Sequence, residues 1–152
     1  YVLPNATHRW IDFMVKWFDI NILAVHIPWF RDKWWKENFW KNLISFAELK
    51  KDNSYIILWD FNTWFKEDSQ GTPFKLSEYM YKLLDLNWSD TWRVFNKITE
   101  YSWYSISKNW FRIDYIFSTK SLVKKFQKVY FSHNERESRY SDHSMLICEF
   151  EL

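Results

Sequence analysis

Residues 58–64 read Leu-Trp-Asp-Phe-Asn-Thr-Trp, and they directly follow a short apolar run at positions 55–57. The continuous apolar run from Tyr55 to Leu58 is too short for a helix and is typical of a strand buried on both faces. Such a strand would deliver Asp60 and Asn62 at its carboxyl end, where binding pockets collect in α/β folds. The segment therefore predicts a central strand that carries polar groups into a site.

The rest of the chain divides into further strands and two helices. Apolar residues recur at helical spacing in two segments, while β-branched and aromatic runs indicate strands elsewhere. The predicted strands are Ile11 to Lys16 and Ile20 to Ile27, which form a hairpin, then Tyr101 to Ser105, Phe111 to Ser118, Phe126 to Phe131 and Met145 to Leu152. The predicted helices are Lys36 to Lys51 and Phe74 to Leu86. Strands that alternate with helices predict an α/β domain with mixed sheets.

The glycine and tryptophan contents are unusual. Twelve Trp and a single Gly occur in 152 residues, whereas Gly averages about 7% of protein sequences. Both Asn-Trp dipeptides, at 87–88 and 109–110, stand where an Asn-Gly turn is expected. A bulky side chain in the left-handed region costs roughly 1–2 kcal/mol, which Gly avoids. We therefore hypothesise that UGA codons that the organism reads as Gly were translated as Trp, and that Trp92 and Trp103 are genuine.

Length, charge and cysteine content constrain the class of protein only loosely. A chain of 152 residues suits one domain, and a formal net charge of +2 neither demands nor excludes a polyanionic partner. Cys148 is the single cysteine, which excludes an intrachain disulfide and leaves the redox compartment open. No apolar run of about 20 residues indicates a membrane span, and no signal peptide is visible. We expect a monomer located in the cytoplasm.

Polar residues stand at predicted strand ends in four places. They are His26 in Ala-Val-His-Ile-Pro, Asp60 with Asn62, Asp114 in Phe-Arg-Ile-Asp-Tyr, and Asp142-His143 in Ser-Asp-His-Ser. Each also has a structural interpretation: a strand-end histidine, an Asx turn, an ion-pair partner for Arg112, and a loop pair, respectively. Arg112, His133 and Arg136 are interpreted as structural.

With Gly at the suspect positions, residues 58–64 would read Leu-Gly-Asp-Phe-Asn-Thr-Gly. Together with the other three segments, in the same order, this resembles the endonuclease/exonuclease/phosphatase superfamily, the DNase I-like metal-dependent phosphoesterases. Asp90-Thr91-Trp92-Arg93 and Tyr101-Ser102-Trp103 are similar to further segments of that family. The resemblance covers nearly the whole chain and implies the C-terminal part of a four-layer α/β sandwich, in which helices flank two packed mixed β-sheets. Residues 1–152 would then be a single N-terminally truncated domain.

The resemblance also implies roles for the polar residues. Asp142 would bind Mg²⁺ or Mn²⁺, because hard oxygen ligands suit these ions. Asp60 would orient or deprotonate the attacking water and contribute to the metal site. Asn62 would hold the phosphate or the water, and His26 and His143 would contact or protonate phosphoryl oxygens. Asp114 would accept a hydrogen bond from the His143 ring and fix its tautomer.

Two departures from the family pattern bear on activity and substrate. The family has an Asn on its first strand and a metal-binding Glu, both before the His motif, and residues 1–26 contain nothing similar. We therefore expect part of the metal site to be missing, so that the intact protein is active while this chain alone is inactive. His26 stands where exonuclease III usually has Tyr, although the later pattern of Tyr130, His133 and Arg136 is similar to an exonuclease-III-like subgroup.

The leading interpretation is metal-dependent hydrolysis of phosphodiester bonds by a nuclease that acts on DNA or RNA. One alternative is a phosphatase or a phospholipid or inositol-phosphate phosphoesterase of the same superfamily, since substrate choice depends on loops. Another is a non-catalytic nucleic-acid-binding module whose Trp and Tyr side chains stack on bases.

Overall fold

Short strands and helices alternate along the chain in this computed structural model, which describes residues 7–29, 33–71, 74–106 and 108–151. The strands are β1 (Trp10–Val15), β2 (Ile20–Val25), β3 (Tyr55–Asp60), β4 (Trp88–Asp90), β5 (Trp103–Tyr104), β6 (Trp110–Phe111), β7 (Asp114–Thr119), β8 (Phe126–Ser132) and β9 (Met145–Phe150). The helices are α1 (Lys33–Lys50), α2 (Glu78–Asp85), α3 (Thr91–Phe95), α4 (Lys120–Val123) and α5 (Asn134–Glu137). The predicted α/β class is confirmed.

Five strands form the main sheet, in the order β1-β2-β3-β7-β4. β2 and β3 run parallel, while the other neighbouring pairs are antiparallel, so this sheet is mixed. β3 lies in the centre because both of its faces are apolar: Ile57 packs in the core on one side of the sheet and Ile56 in the core on the other. The polar end of β3 is therefore flanked by strands on both sides.

A hydrophobic core lies on each face of the main sheet. On one face, α1 and α2 pack through residues such as Trp40, Leu43 and Met80, whose spacing places the apolar side chains of each helix on its inner stripe. On the other face, β8 and β9 pair with each other, and Phe131 packs in the same core as Ile116 of β7. Helices, main sheet and the β8–β9 pair thus form successive layers. The β8–β9 pair is antiparallel, whereas the sequence predicted two mixed sheets.

Most predicted elements are present with shifted ends. α1 begins at Lys33 rather than Lys36. α2 does not extend back to residue 74, because Leu76 has a φ of 78°, which a right-handed helix does not allow. The strand predicted at 111–118 is divided into β6 and β7, and the one predicted at 101–105 is reduced to β5. β9 ends at Phe150, and Leu152 lies outside the described residues.

The two Asn-Trp dipeptides do not form the expected Asn-Gly turns. Asn87 has a φ of 66°, but Trp88 is a buried residue of β4, a strand that the turn interpretation missed. Near the second dipeptide, the left-handed residue is Lys108, with a φ of 61°, and Trp110 lies in β6. Trp59 is different, because its φ of 109° falls in the region that favours glycine. Position 59 is therefore where the backbone supports a glycine.

Arg112 interrupts the predicted strand because its side chain is drawn into a buried ion-pair network. Its guanidinium lies 2.6 Å from Asp68 Oδ2 and 2.5 Å from Asp90 Oδ2, and all three side chains are buried. Asp90 also caps α3 by accepting a hydrogen bond from the backbone of Arg93. Asp114 instead contacts His143, so its interpretation as the ion-pair partner of Arg112 is wrong.

None of the helices formed by the described residues is long and apolar enough to cross a membrane.

Candidate active site

Three neighbouring strands of the main sheet bring polar side chains to one edge. His26 directly follows β2, Asp60 ends β3, and Asp114 begins β7. Because β2 runs parallel to β3 while β7 runs antiparallel, the end of β3 meets the start of β7, and Asp60 pairs directly with Asp114. The chain direction thus gathers residues that are far apart in sequence.

Asp60 is held by Asn62 through two hydrogen bonds. The backbone N–H of Asn62 donates to Asp60 Oδ1, and its Nδ2 donates to Asp60 Oδ2, both at 2.8 Å. Nδ2 also donates to the carbonyl of Ile27 at 2.9 Å, which ties this turn to the segment after β2. The Asx turn considered from the sequence is therefore present, and it fixes the orientation of a buried carboxylate.

The environment of Asp60 disfavours its charged form. Burial, followed by the charge of Asp114, raises the pKa of Asp60 to about 7, while the hydrogen bond from the Asn62 backbone opposes that rise. A carboxylate with a pKa near neutrality can accept and release a proton at physiological pH. Asp60 is thus suited to general base chemistry.

His143 pairs with Asp114 across the gap between the main sheet and β9. The distance from His143 Nδ1 to Asp114 Oδ2 is 2.8 Å, and Nδ1 is the donor because a carboxylate only accepts. Burial lowers the pKa of His143, but the hydrogen bond to Asp114 and its negative charge outweigh burial, so the pKa is raised overall. The ring can therefore carry a proton and present Nε2 as its other donor.

His26 and Asp142 lie at the margins of this group. His26 Nε2 is 3.5 Å from Asp60 Oδ2, and about half of the His26 side chain is exposed. Burial and the positive charge of Arg9 lower the pKa of His26. Asp142 is exposed, and its Oδ2 accepts a hydrogen bond from Trp103 Nε1 at 3.3 Å. All six predicted residues therefore lie in one region of the molecule, and their catalytic roles stay predictions.

A metal ion would find oxygen ligands here but not a complete cage. In residues 7–29, 33–71, 74–106 and 108–151, no group of three or more His, Cys, Asp or Glu side chains is arranged to hold a metal. Mg²⁺ keeps several waters and needs only one or two carboxylates, which the exposed Asp142 fits. Both oxygens of Asp60 accept hydrogen bonds from Asn62, so Asp60 fits the role of base better than that of ligand.

A cleft of about 350 Å³ lies beside His143, between the main sheet and β9. Its lining includes Asp114 and His143 together with apolar side chains such as Leu58 and Met145. Trp59 lines the same cleft as Leu58, although successive residues of a strand should face opposite sides, and its positive φ accounts for this break in the alternation. A glycine at position 59 would leave the cleft wider next to the His143–Asp114 pair.

Ser102 links the two halves of the His143–Asp114 pair, and sequence reasoning assigned it no role. Its buried Oγ accepts hydrogen bonds from the backbone N–H of Ile113 at 3.0 Å and of Asp114 at 3.1 Å. Its carbonyl accepts from the backbone N–H of Ser144 at 2.7 Å. The available signal was the similarity of Tyr101-Ser102-Trp103 to a segment of the family, which assigned no role to Ser102 itself.

His133, interpreted as structural, braces the segment that carries His143. Its Nδ1 lies 2.7 Å from Ser144 Oγ, and its Nε2 lies 2.8 Å from Glu100 Oε1. Arg136 joins this network by donating from Nε to Ser144 Oγ at 3.2 Å. The network therefore fixes the residue that follows His143 without reaching the site itself.

A second unassigned residue, Lys36 of α1, reaches the site from the opposite side of the sheet. Its side chain is fully buried, and Nζ donates a hydrogen bond to the carbonyl of Asn62. Burial lowers the pKa of Lys36 to about 7, while the negative charge of Asp60 opposes that decrease. In the sequence, this lysine stood among charged and aromatic residues at the start of a helix, which gave no sign of burial.

Solved structures with a similar fold include nucleases and a 3′ phosphatase. The 3′ phosphatase NExo from Neisseria, bound to a product DNA hairpin, matches with a TM-score of 0.84 and 20% identity, over 95% of this chain and 65% of that chain. An AP endonuclease from Archaeoglobus fulgidus matches with a TM-score of 0.87 and 16% identity, over 99% and 68%. An endonuclease/exonuclease/phosphatase family protein from Leptotrichia buccalis matches with a TM-score of 0.61 and 23% identity, over 88% and 48%.

The chain has the DNase I-like fold. It spans 65% of the length of the Neisseria phosphatase and 68% of that of the AP endonuclease, so its strands and helices correspond to about two thirds of those chains. No protein-family model matches the chain, and no curated protein matches its sequence. The predicted architecture is therefore confirmed by structural similarity, at identities that establish the fold alone.

Proposed function

We propose that this DNase I-like chain carries the catalytic part of a metal-dependent phosphodiesterase, a nuclease that acts on DNA or RNA. The observation that carries the proposal is the direct pairing of Asp60 with Asp114 across β3 and β7, where Asp60 is held by Asn62 and Asp114 holds His143. A base at the end of β3 thus lies beside a proton donor, His143, that Asp114 holds from the neighbouring strand β7. Hydrolysis of a phosphate ester needs both groups.

Asp60 is the residue proposed to activate water. The water oxygen attacks phosphorus, its proton passes to the Asp60 carboxylate, and the bond from phosphorus to the leaving oxygen breaks. The leaving oxygen takes up a proton from solvent water and departs as the hydroxyl of the product. A pKa of about 7 allows Asp60 to take that proton at neutral pH. Asn62 keeps the carboxylate in place because it donates to both oxygens.

His143 is proposed to stabilise charge on the phosphoryl group. Its Nδ1–H is engaged by Asp114, so the Nε2–H is the donor that a phosphoryl oxygen would meet. The raised pKa of His143 favours the doubly protonated ring, which makes this a charge-assisted hydrogen bond. His26, whose pKa is lowered, is proposed to contact the substrate as a neutral donor.

Asp142 is the proposed ligand of the metal ion. Its carboxylate is exposed beside His143 and supplies hard oxygen atoms. When bound, Mg²⁺ or Mn²⁺ would neutralise charge that develops on the phosphoryl oxygens. Trp103 would keep the Asp142 carboxylate oriented through its Nε1 donor.

Nucleic acid is the favoured substrate over lipid or inositol phosphates. The Neisseria phosphatase of similar fold was captured with a DNA hairpin product, which supports a polynucleotide as the partner of this fold. The same protein supports 3′-phosphate ends as the second candidate substrate. Both reactions use the same base and the same donor on a phosphate ester.

A substrate panel tests the proposal. Protein expressed from the complete gene is incubated with single-stranded DNA, duplex DNA, RNA, a 3′-phosphorylated oligonucleotide, an inositol phosphate and a phospholipid, each with Mg²⁺ or with EDTA. We expect cleavage of an internal phosphodiester bond with Mg²⁺ and none with EDTA. Release of phosphate from the 3′ end alone would support the second candidate. Hydrolysis of the inositol phosphate or the phospholipid alone would contradict both.

A further inference from the structure

Lys36 is a buried amine that the proposed reaction does not use. Its side chain has no exposed surface, although it belongs to a residue type that is rarely buried without a partner. Burying an amine is costly, because the charged form loses its hydration. Because burying this lysine beside the candidate active site costs free energy, we expect it to have a function there.

The hydrogen bond of Lys36 goes to a residue with an uncommon backbone conformation. Nζ donates to the carbonyl of Asn62, and Asn62 has a φ of 44°, in the left-handed region. Asn tolerates this conformation better than most residues with a side chain, yet it is uncommon even for Asn, and surrounding contacts select it. The conformation matters because it lets the backbone N–H and the Nδ2 of Asn62 reach the two oxygens of Asp60.

The surroundings of Lys36 keep its amine directed at this carbonyl. Nζ lies 4.2 Å from the centre of the Phe74 ring and 6.0 Å from that of Trp29, so aromatic faces border the amine. Phe39 and Trp40, which follow Lys36 on α1, pack in the hydrophobic core and hold this part of the helix in place. The position of the amine is therefore set by the helix and not by solvent.

From these contacts we infer that Lys36 is a positioning residue, which holds the left-handed Asn62 by its carbonyl so that Asn62 presents Asp60 to the attacking water. The inference rests on the proposed role of Asp60. It adds a residue from the helix layer to a site otherwise built from the ends of strands. Lys36 itself touches neither the substrate nor the metal ion.

The test compares variants of Lys36 with a matched lysine on the same helix. Lys36→Met removes the donor and keeps an unbranched chain, Lys36→Gln is a smaller polar replacement, and Lys36→Arg keeps a cationic donor. Lys41→Met is the control, because Lys41 is exposed and pairs with Glu37 at 3.0 Å. Two readouts are used: kcat and KM for the best substrate of the panel, and the Asn62 side-chain amide signals in ¹H–¹⁵N NMR spectra.

We expect Lys36→Met to lower kcat at least about 10-fold with KM changed less than about 3-fold, because a misplaced base slows the chemical step more than binding. The Asn62 amide signals should shift in Lys36→Met and return toward their original positions in Lys36→Arg, together with part of the lost kcat. Lys41→Met should change neither readout.

Three results would overturn the inference. The first is a folded Lys36→Met or Lys36→Gln with full kcat, and the second is unchanged Asn62 amide signals in those variants. The third is a failure of both variants to fold, which would make Lys36 a purely structural residue. If the unmodified protein cleaves nothing in the panel, the proposed function fails, yet the NMR readout still decides whether Lys36 positions Asn62.

Discussion

Asp60 and Asp114 lie directly opposite each other on the antiparallel strands β3 and β7. The negative charge of Asp114 is the second cause, after burial, of the raised pKa of Asp60, and the nearby His143 opposes that rise. Asp114 is hydrogen-bonded to His143, whereas Asp60 is hydrogen-bonded to Asn62. The two aspartates thus have different proposed roles, because their hydrogen-bonding partners differ.

The first prediction concerns Asp114→Asn. The variant removes the charge that raises the pKa of His143, so that pKa should fall, and the ring should lose its fixed tautomer. We expect kcat to fall on the order of 10²-fold, the lower end of the usual contribution of general acid–base groups, because Asp114 acts through His143. An NMR titration of the His143 ring and steady-state kinetics measure the two effects. Asp85→Asn, at an exposed carboxylate, is the control, and full kcat in Asp114→Asn would contradict the proposed pair.

The polar residues at the ends of strands could be predicted from the sequence, because apolar runs show where strands begin and end. His26, Asp60 and Asp114 each follow or begin such a run, and the structure places them together. Lys36 and Ser102 could not be predicted in this way. Lys36 lies on the same helix as the exposed Lys41, and the sequence does not distinguish the two. The role of Ser102 depends on backbone groups that its own segment does not contain.

The turns show the same limit. Asn-Trp at 87–88 was interpreted as a turn because Asn-Gly is a strong local signal, but residue 88 pairs in β4 and packs in the core. Tertiary contacts thus overrode a local preference. The positive φ at position 59 of β3 could be predicted from the neighbouring residues only if that position is occupied by glycine.

The second prediction concerns Trp59→Gly. The φ of 109° at Trp59 should cost on the order of 1–2 kcal/mol for a residue with a Cβ, so the glycine variant should have a higher free energy of unfolding by about that amount. Urea denaturation measures the change. Trp17→Gly is the matched control, because Trp17 is 92% exposed and lies in a turn whose left-handed residue is Asp19; it should lower stability slightly.

The same hypothesis makes a prediction about the gene. The codons for Trp59, Trp64 and Trp110 should be UGA, and those for Trp92 and Trp103 should be UGG. Sequencing the gene checks this directly, and UGG at the first three positions would refute the recoding hypothesis. A loss of stability in Trp59→Gly would independently contradict the structural argument.

The third prediction concerns stability and pH. Lys36 has its pKa lowered from 10.5 to about 7 in the folded state, so the unfolded chain binds more protons at that residue between those two values. Its contribution to the free energy of unfolding should therefore rise as pH increases from about 7 to about 10.5. To isolate this contribution, the free energy of unfolding in urea is measured for both proteins across this pH range, and the values for Lys36→Met are subtracted from those for the unmodified protein. The difference should reach a few kcal/mol, at about 1.4 kcal/mol per pKa unit. If the free energies of unfolding of the two proteins changed equally with pH, the amine would not be buried.

The fourth prediction separates His133 from His143. Both histidines contact a carboxylate, but His133 braces Ser144 whereas His143 faces the cleft. His143→Ala should lower kcat at least about 10²-fold with little change in stability. His133→Ala should lower kcat less and should lower the free energy of unfolding by about 1–3 kcal/mol, since the buried Ser144 hydroxyl keeps only Arg136 as a partner and Glu100 loses its hydrogen bond to the ring. Equal kinetic losses in the two variants would mean that the network around Ser144 takes part in the reaction.

The most direct measurement is single-turnover cleavage of an end-labelled oligonucleotide by protein expressed from the complete gene, compared with its Asp60→Asn variant. Asp60→Asn keeps the size of the side chain and removes its ability to accept a proton from water. With Mg²⁺ present, we predict cleavage by the unmodified protein and a rate at least about 10²-fold lower in Asp60→Asn, with both activities abolished by EDTA. Equal cleavage rates for the two proteins, or cleavage that persists in EDTA, would contradict a metal-dependent phosphodiesterase with Asp60 as its base.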